Sequence, residues 1–286
     1  MPVKGNILYC SACDHAQSQI NLLNCELCGN DLGAPNVNVV STEDELKALQ
    51  KRYDDAKDYL TIHGLNNILN SFESFFNNNA KAILHISLSV LNSWVTKTGV
   101  YASYHRALEQ GWRSIAENIF DRKRTAVDSF LYGTHGRDMI FAAITLTEEG
   151  LSSYEDCGII LNEASIKARA TTLEENSFKF VETHKVNFVN VDIPLGYRSR
   201  WDNKLQLAVA KVHKNFTAAS TESDFSSFIL KNSGDRDLDD FIEVFIFNEL
   251  TFLAINKVFI PTPKNRKDKE SVEEIEERIP GKVILV

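Results

Sequence analysis

The chain has no surplus of positive charge: its 286 residues carry a net charge of −8 at neutral pH. Broad, non-specific nucleic-acid binding feeds on positive charge, so this balance argues against it while leaving room for a local basic groove. Long apolar runs are missing as well. The longest, near Ala82 to Val95, is too short to cross a bilayer and is interrupted by His85, Ser87, Ser89 and Asn92. Met1-Pro2-Val3-Lys4-Gly5-Asn6 lacks the apolar core of a secretion signal. There is no internal repeat and no low-complexity tract. Clustered acids or histidines of the kind that hold a nuclease's magnesium are lacking too, and Asp235, Asp237, Asp239 and Asp240 read as a solvated loop. Beyond residue 28 only one cysteine remains, Cys157, and it reads as a small buried residue rather than a nucleophile. Together these absences lead to the expectation of a cytoplasmic protein in a reducing compartment, without a membrane partner.

What is present begins with those cysteines. Cys10-x2-Cys13 and Cys25-x2-Cys28 form two CxxC pairs separated by eleven residues. Each pair closes a tight turn with both sulfurs facing one point, and two such turns complete a tetrahedral thiolate cage for zinc. Gly29 and Asn30 follow the second pair, where such a turn needs unusual backbone angles. A closed four-thiolate site leaves no position for water or substrate, so its expected role is structural. A disulfide pair or free thiols are the alternatives, and His15 reads as a solvated loop residue.

The 43% hydrophobic content suffices for one large domain or two small ones. The expected fold class is α+β, in three regions: a zinc ribbon over 1–40, a helical segment over 41–120, and a domain built on a mixed or antiparallel β-sheet over 121–286. Ser41 or Thr42 caps a helix whose apolar residues recur at Leu46, Leu49, Tyr53, Ala56 and Leu60. Further helices are expected at Leu65 to Phe76, Ala80 to Trp94 and Tyr101 to Ile119, with Phe72, Phe75, Phe76, Trp94 and Trp112 as packing residues. In the third region, strands are expected at Ser129 to Tyr132, Gly158 to Leu161, Phe178 to Val181, Lys185 to Val191, Phe241 to Phe247, Lys257 to Ile260 and Lys282 to Val286. Helices are expected at Asp138 to Thr147 and Lys204 to Lys214. The basic run from Lys264 to Lys269, followed by acids, reads as a solvated loop and helix.

Four stretches are candidates for chemistry. Phe130 to Gly136 reads as a strand, a glycine turn at Gly133-Thr134, and the start of a helix; a glycine there lets main-chain groups approach a flat ligand. Tyr154 stacks on an aromatic ligand or packs in the core. Arg169 to Phe178 gathers polar residues, among them Arg169 and Asn176, in a ligand-facing loop or a capped turn. In Phe241-Ile242-Glu243-Val244-Phe245-Ile246-Phe247 a lone carboxylate shares one strand face with three phenylalanines. A charge there costs free energy unless it is paired or used. One reading is a functional acid that steadies positive charge on a sugar carbon or orients a hydroxyl; the other is an ion pair with Lys257 or Arg236.

The order of these pieces resembles ADP-ribosyltransferases, most closely the His-Tyr-Glu group that includes poly(ADP-ribose) polymerases and DNA-targeting toxins of bacterial toxin–antitoxin systems. The resemblance runs from about Asp128 to Pro261. It implies NAD as substrate, with Gly133 clamping the nicotinamide amide, Thr134 beside it, Tyr154 as the stacking tyrosine and Glu243 as the catalytic acid. Tyr132 stands where the family has histidine, and His135 lies nearby. Arg169 and Asn176 are candidate substrate contacts. The acceptor implied is a nucleic acid or protein, and the setting a toxin with a neutralising antitoxin partner or an anti-phage effector. The competing expectation is a non-catalytic zinc-ribbon adaptor that docks on nucleic acid or protein, with Arg122-Lys123-Arg124 and Lys264 to Lys269 as basic spots.

Overall fold

The structure, a computed structural model, describes residues 3–112, 119–187 and 192–286. Strands β1 (Val3–Lys4) and β2 (Ile7–Leu8) pair antiparallel and lead into the cysteine loops, and α1 (Pro35–Val39) closes that unit. Then come α2 (Glu43–Ile62), α3 (Asn66–Asn79), β3 (Lys81–Ile86), α4 (Leu88–Ser93), β4 (Val100–Tyr101) and α5 (Tyr104–Glu109). The chain continues through α6 (Ile119–Tyr132), β5 (Met139–Thr145), β6 (Cys157–Leu161), α7 (Glu163–Ile166), β7 (Ala170–Leu173) and α8 (Ser177–Thr183). After β8 (Arg198–Arg200), α9 (Lys204–Val212) and α10 (Glu222–Ile229) come β9 (Leu230–Lys231), β10 (Asp240–Phe241) and β11 (Glu243–Phe247). The last elements are β12 (Leu250–Thr251), β13 (Ile255–Ile260), α11 (Arg266–Arg278) and β14 (Val283–Leu285).

Eight strands form one sheet in the order β14-β13-β6-β3-β5-β11-β7-β8, antiparallel throughout except for the parallel edge pair β13 and β14. Alternation along the strands gives the sheet two different faces. One carries Leu84, Ile86, Ile140, Ala142, Ile144, Val244 and Ile246, and packs against α2, α3 and α9 in the main core. The pairings Glu243↔Ala143, Glu243↔Leu173, Phe245↔Thr171 and Leu173↔Arg198 show that the opposite face mixes apolar and polar side chains. There α6 and α8 cover part of the surface, with Val127, Leu131 and Phe180 packed on Phe245 and Phe247.

Several local assignments differ from the sequence reading. Ala80 to Trp94, read as one helix, is β3 followed by α4, so the segment expected to be helical supplies a central strand. Asp138 to Thr147, also read as a helix, contains β5. Both strands are covered on both faces, so their sequences run almost continuously apolar, and period alone cannot separate such a strand from a buried helix. The expected strand Ser129 to Tyr132 is the last turn of α6, and Phe178 to Val181 lies within α8. Of the run Lys185 to Val191, residues 188–191 lie outside the described residues, and the described part is turn and loop. Of Tyr101 to Ile119, α5 is helical while 113–118 lie outside the described residues, as does the side chain of Arg122. Trp112 is nearly half exposed rather than packed in the core, and Asp239 is fully buried rather than solvated. Helix α2 begins as expected, with Thr42 accepting from the Glu45 amide.

Two buried polar anchors fix the N-terminal segments to the sheet. Asn36 of α1 donates from Nδ2 to the carbonyls of Arg169 and Phe245 and to Thr171 Oγ1, at 3.1–3.2 Å. Glu45 of α2 accepts from Arg198 Nε at 3.0 Å and from the Gly196 amide at 2.8 Å. No helix among the described residues is long and apolar enough to cross a membrane.

Candidate functional site

The candidate metal centre is built from two copies of one turn. The Cys10 amide donates to the His15 carbonyl and the Asp14 amide to the Cys10 carbonyl; fifteen residues on, Cys25, Asn30 and Gly29 repeat both bonds. The residue four past each first cysteine has positive φ, +55° at Asp14 and +73° at Gly29. The four sulfurs lie within 4.8 Å of one another, and the pairs Cys10–Cys28 and Cys13–Cys25 are each 3.6 Å apart. A tetrahedron of zinc–sulfur bonds near 2.3 Å has edges of about 3.8 Å, so the cage has the size zinc requires. Amide protons point at the sulfurs as well: Ala12 N donates to Cys10 Sγ and Gln17 Nε2 to Cys25 Sγ, both at 3.4 Å. The four cysteines are free of disulfides and positioned to bind a metal ion, compatible with structural zinc. Cys157 is buried in the main core, where burial pushes its thiol up to about 12.

The second centre surrounds Glu243. Its side chain is 5% exposed and lies on the mixed face of the sheet, where Oε2 accepts from the Ser177 amide at 2.7 Å. That amide opens α8, whose N-cap Asn176 accepts from Phe178 N at 3.0 Å and donates from Nδ2 to the Tyr154 hydroxyl at 3.2 Å. Burial pushes Glu243 up to about 7, against the nearby Arg124 guanidinium and the Ser177 N–H, which favour its charge; Asp128 adds to the rise. Asp128, 2% exposed and four residues after Arg124 on α6, is itself raised by burial, while His105 and Arg124 oppose the rise. His105 Nε2 stands 3.2 Å from Asp128 Oδ2. Two buried carboxyls therefore share one arginine, whose guanidinium lies over the rings of Phe141 and Phe178, 4.4 and 5.5 Å from their centroids.

The residues singled out in the sequence fall into three groups. Glu243, Tyr154 and Asn176 come together, and Arg236 covers the Tyr154 ring at 4.7 Å. Neither expected ion-pair partner of Glu243 takes that role: Lys257 pairs with Glu148 at 2.8 Å, and Arg236 donates to the Ser153 carbonyl. Tyr132 and Gly133 lie on the same face of the sheet as Glu243, since the Tyr132 ring packs 4.9 Å from Phe245. They line a cleft of about 780 Å³ between the cysteine unit and the sheet, with Ile20, Asn21, Ile193 and Arg198; Glu243 is outside that lining. Tyr132 is buried with its hydroxyl 3.2 Å from Thr171 Oγ1, and Thr134 is exposed. Gly133, at φ +58°, follows a helix and precedes a strand, the reverse of the strand-turn-helix expected.

Arg169 stands apart. Its guanidinium donates to the carbonyls of Ser165, Phe247, Asn248 and Glu249, so it clamps the turn after β11. That turn is at the opposite end of β11 from Glu243. Sequence reasoning missed Asp128 and His105, took in Ser177 only within the polar stretch Arg169 to Phe178, and read Arg124 only as part of a basic spot. The Arg124–Asp128–Tyr132 spacing of four would have placed all three on one helix face, had the segment been assigned as a helix. No known protein family matches the chain, and no curated protein is detectably similar to it.

Proposed function

We propose that the chain is an NAD-dependent ADP-ribosyltransferase in which Glu243 acts on the nicotinamide-side ribose. The observation that carries this reading is the buried Glu243 carboxyl, poised near neutrality by burial against Arg124 and Ser177 N–H, beside Tyr154 and Asn176. An acid with this balance serves in either protonation state near pH 7, which is where acid–base groups of enzymes are tuned. In the reaction the bond between the ribose anomeric carbon and the nicotinamide nitrogen breaks, and its electron pair leaves with neutral nicotinamide. Ionised Glu243 stabilises the positive charge left on the sugar and holds a ribose hydroxyl. The acceptor's nucleophile then bonds to that carbon and loses its proton to the carboxylate or to water.

In this reading Tyr154 offers the stacking surface and Asn176 fixes it. Gly133, Tyr132 and Thr134 lose the strand-turn-helix support for a nicotinamide clamp, and Arg169 is committed to main-chain carbonyls. Zinc held by Cys10, Cys13, Cys25 and Cys28 is structural, and the ribbon is the part that meets the nucleic-acid or protein acceptor, or a neutralising antitoxin partner. The test is nicotinamide release from NAD with cellular protein, RNA or single-stranded DNA as acceptor, comparing wild type with Glu243→Gln. Loss of one transition-state-stabilising group lowers the rate on the order of 10²–10³. Release that is absent, or that survives Glu243→Gln unchanged, refutes the reading.

A second reading, a non-catalytic adaptor, is favoured by the position of the cleft, which borders the cysteine unit and is not lined by Glu243. It predicts no heat of NAD binding in calorimetry.

A further inference from the structure

We propose that His85 is a neutral latch that positions the loop carrying Tyr154, and that protonation of its ring releases that loop. The side chain stands on the mixed face of β3, with Gly158 of β6 directly opposite. Both ring nitrogens are committed to the main chain of the segment between β5 and β6. The Leu151 amide donates to Nε2 at 3.0 Å, so Nε2 bears no proton, and Nδ1–H therefore donates to the Glu155 carbonyl at 3.2 Å. The contact at Gly150 is equally close: a Cβ there would fall 2.0 Å from His85 Nε2. No other residue type fits between ring and loop without moving one of them.

Tyr154 depends on this latch. Its amide donates to the Leu151 carbonyl at 3.2 Å, and Leu151 is buried with Ile83, Ile160 and Phe241. The far side of the loop is tied to the 232–239 segment, where Ser152 N donates to Asn232 Oδ1 at 3.1 Å and Arg236 Nε to the Ser153 carbonyl at 2.8 Å. The Tyr154 hydroxyl then meets Asn176. Protonation would turn Nε2 into a donor facing the Leu151 N–H, two donors with no acceptor between them, and the latch side of the loop would open.

Glu155 and Asp156 belong to the loop itself, and Lys81 lies on the same strand. Lys81 and Lys257 of β13 both pair with Glu148, at the start of the loop. Burial pushes the His85 pKa down, opposed only by its bond to the Glu155 carbonyl. A folded-state pKa below the ordinary 6.5 makes the latch fully effective above that pH and weakens it as pH falls.

The deciding experiment is nitrogen-15 NMR of the imidazole, with amide-exchange protection measured across pH on the full-length, zinc-loaded protein. The expected result is the Nδ1–H tautomer at pH 8 and a His85 titration below 6.5. Protection of Leu151 and of the 148–156 loop, corrected for the intrinsic pH dependence of amide exchange, should fall by up to about tenfold per pH unit below 6.5. His85→Gln, whose amide offers a donor and an acceptor but does not titrate, should keep the loop protected and remove the pH dependence. An Nε2–H tautomer at pH 8, or a titration at or above 6.5, overturns the proposal. So does a His85→Gln protein with unchanged pH dependence; the tautomer of the wild type decides the matter even if that variant does not fold. None of these readouts depends on NAD chemistry.

Discussion

The Ser177 amide donates to Glu243 Oε2 at 2.7 Å, tying a carboxyl in the middle of the sheet to the first turn of α8. This single N–H, with Arg124 nearby, does not offset the cost of burial, and the folded protein holds the Glu243 proton up to about pH 7. The unfolded chain releases it near 4.5. The folded state therefore binds the proton more tightly, and stability attributable to this group falls as pH rises between those values. Across that interval the loss is about 3 kcal/mol. Glu243→Gln should be close to wild type in urea melts at pH 4.5 and more stable than wild type at pH 8. Equal stability at both pH values would show that the carboxyl does not carry this penalty.

Removal of the metal should be felt in the melting temperature. The cysteine unit has only a small apolar cluster of its own, around Leu8, Leu32, Ile20 and Leu22, so the thiolate cage is its main support. A strong chelator, or Cys13→Ser, should lower the melting temperature and release one zinc per chain, measured by a colorimetric indicator. The Glu243 centre, built from α6, α8 and β11, should remain formed. An unchanged melting curve in chelator would count against structural zinc.

Glycine is required at position 196. Its φ is +81°, and a Cβ there would lie 2.7–2.9 Å from the backbone of Ala48 and Leu49 on α2. Gly196→Ala should cost about 2–3 kcal/mol in chemical denaturation. The control is Gly281→Ala, at a similar φ but with open space around it, which should cost clearly less.

The pair Glu45 and Arg198 is almost completely buried, at 2% and 5% exposure, and Glu45 also receives the Gly196 amide. Removing one partner strands the other charge in the interior. Glu45→Ala should therefore destabilise by about 3–5 kcal/mol, and Glu45→Ala with Arg198→Leu by less than Glu45→Ala alone. A double variant less stable than either single one would contradict this account of the pair.

Local features were the ones legible in the sequence. The cysteine turns, the Thr42 cap and the strands at Gly158 to Leu161 and Lys257 to Ile260 are written in a few neighbouring residues each. Glu243 was visible because a lone carboxylate in a phenylalanine-rich strand is physically conspicuous. Its pairing with Arg124 and Ser177 was not, because they arrive from elements far away in the chain; Ser177 alone is 66 residues distant. The strands β3 and β5 were misread for the same reason that they are central: with both faces covered, they have no polar side to reveal the two-residue period. Arg169 is only a candidate ligand contact in the sequence, where a capped turn reads equally well; its guanidinium is consumed by carbonyls that only the folded turn brings together.

The position of β3 also bears on how the protein is made. It belongs to the first third of the chain yet lies between β5 and β6, so a fragment starting after residue 120 would leave a gap in its sheet and two raw edges. During synthesis the strand must wait even for its first neighbour: Met139 comes 53 positions after Ile86 (139 − 86), a delay of roughly 3–10 s at ribosomal speed. Until then Ala82, Ile83, Leu84 and Ile86 are an unpaired, sticky segment, the kind that chaperones bind. The polypeptide thus commits its middle strand early and completes the sheet around it late, so the eight-stranded sheet closes only when the segments on both sides of residue 120 are joined.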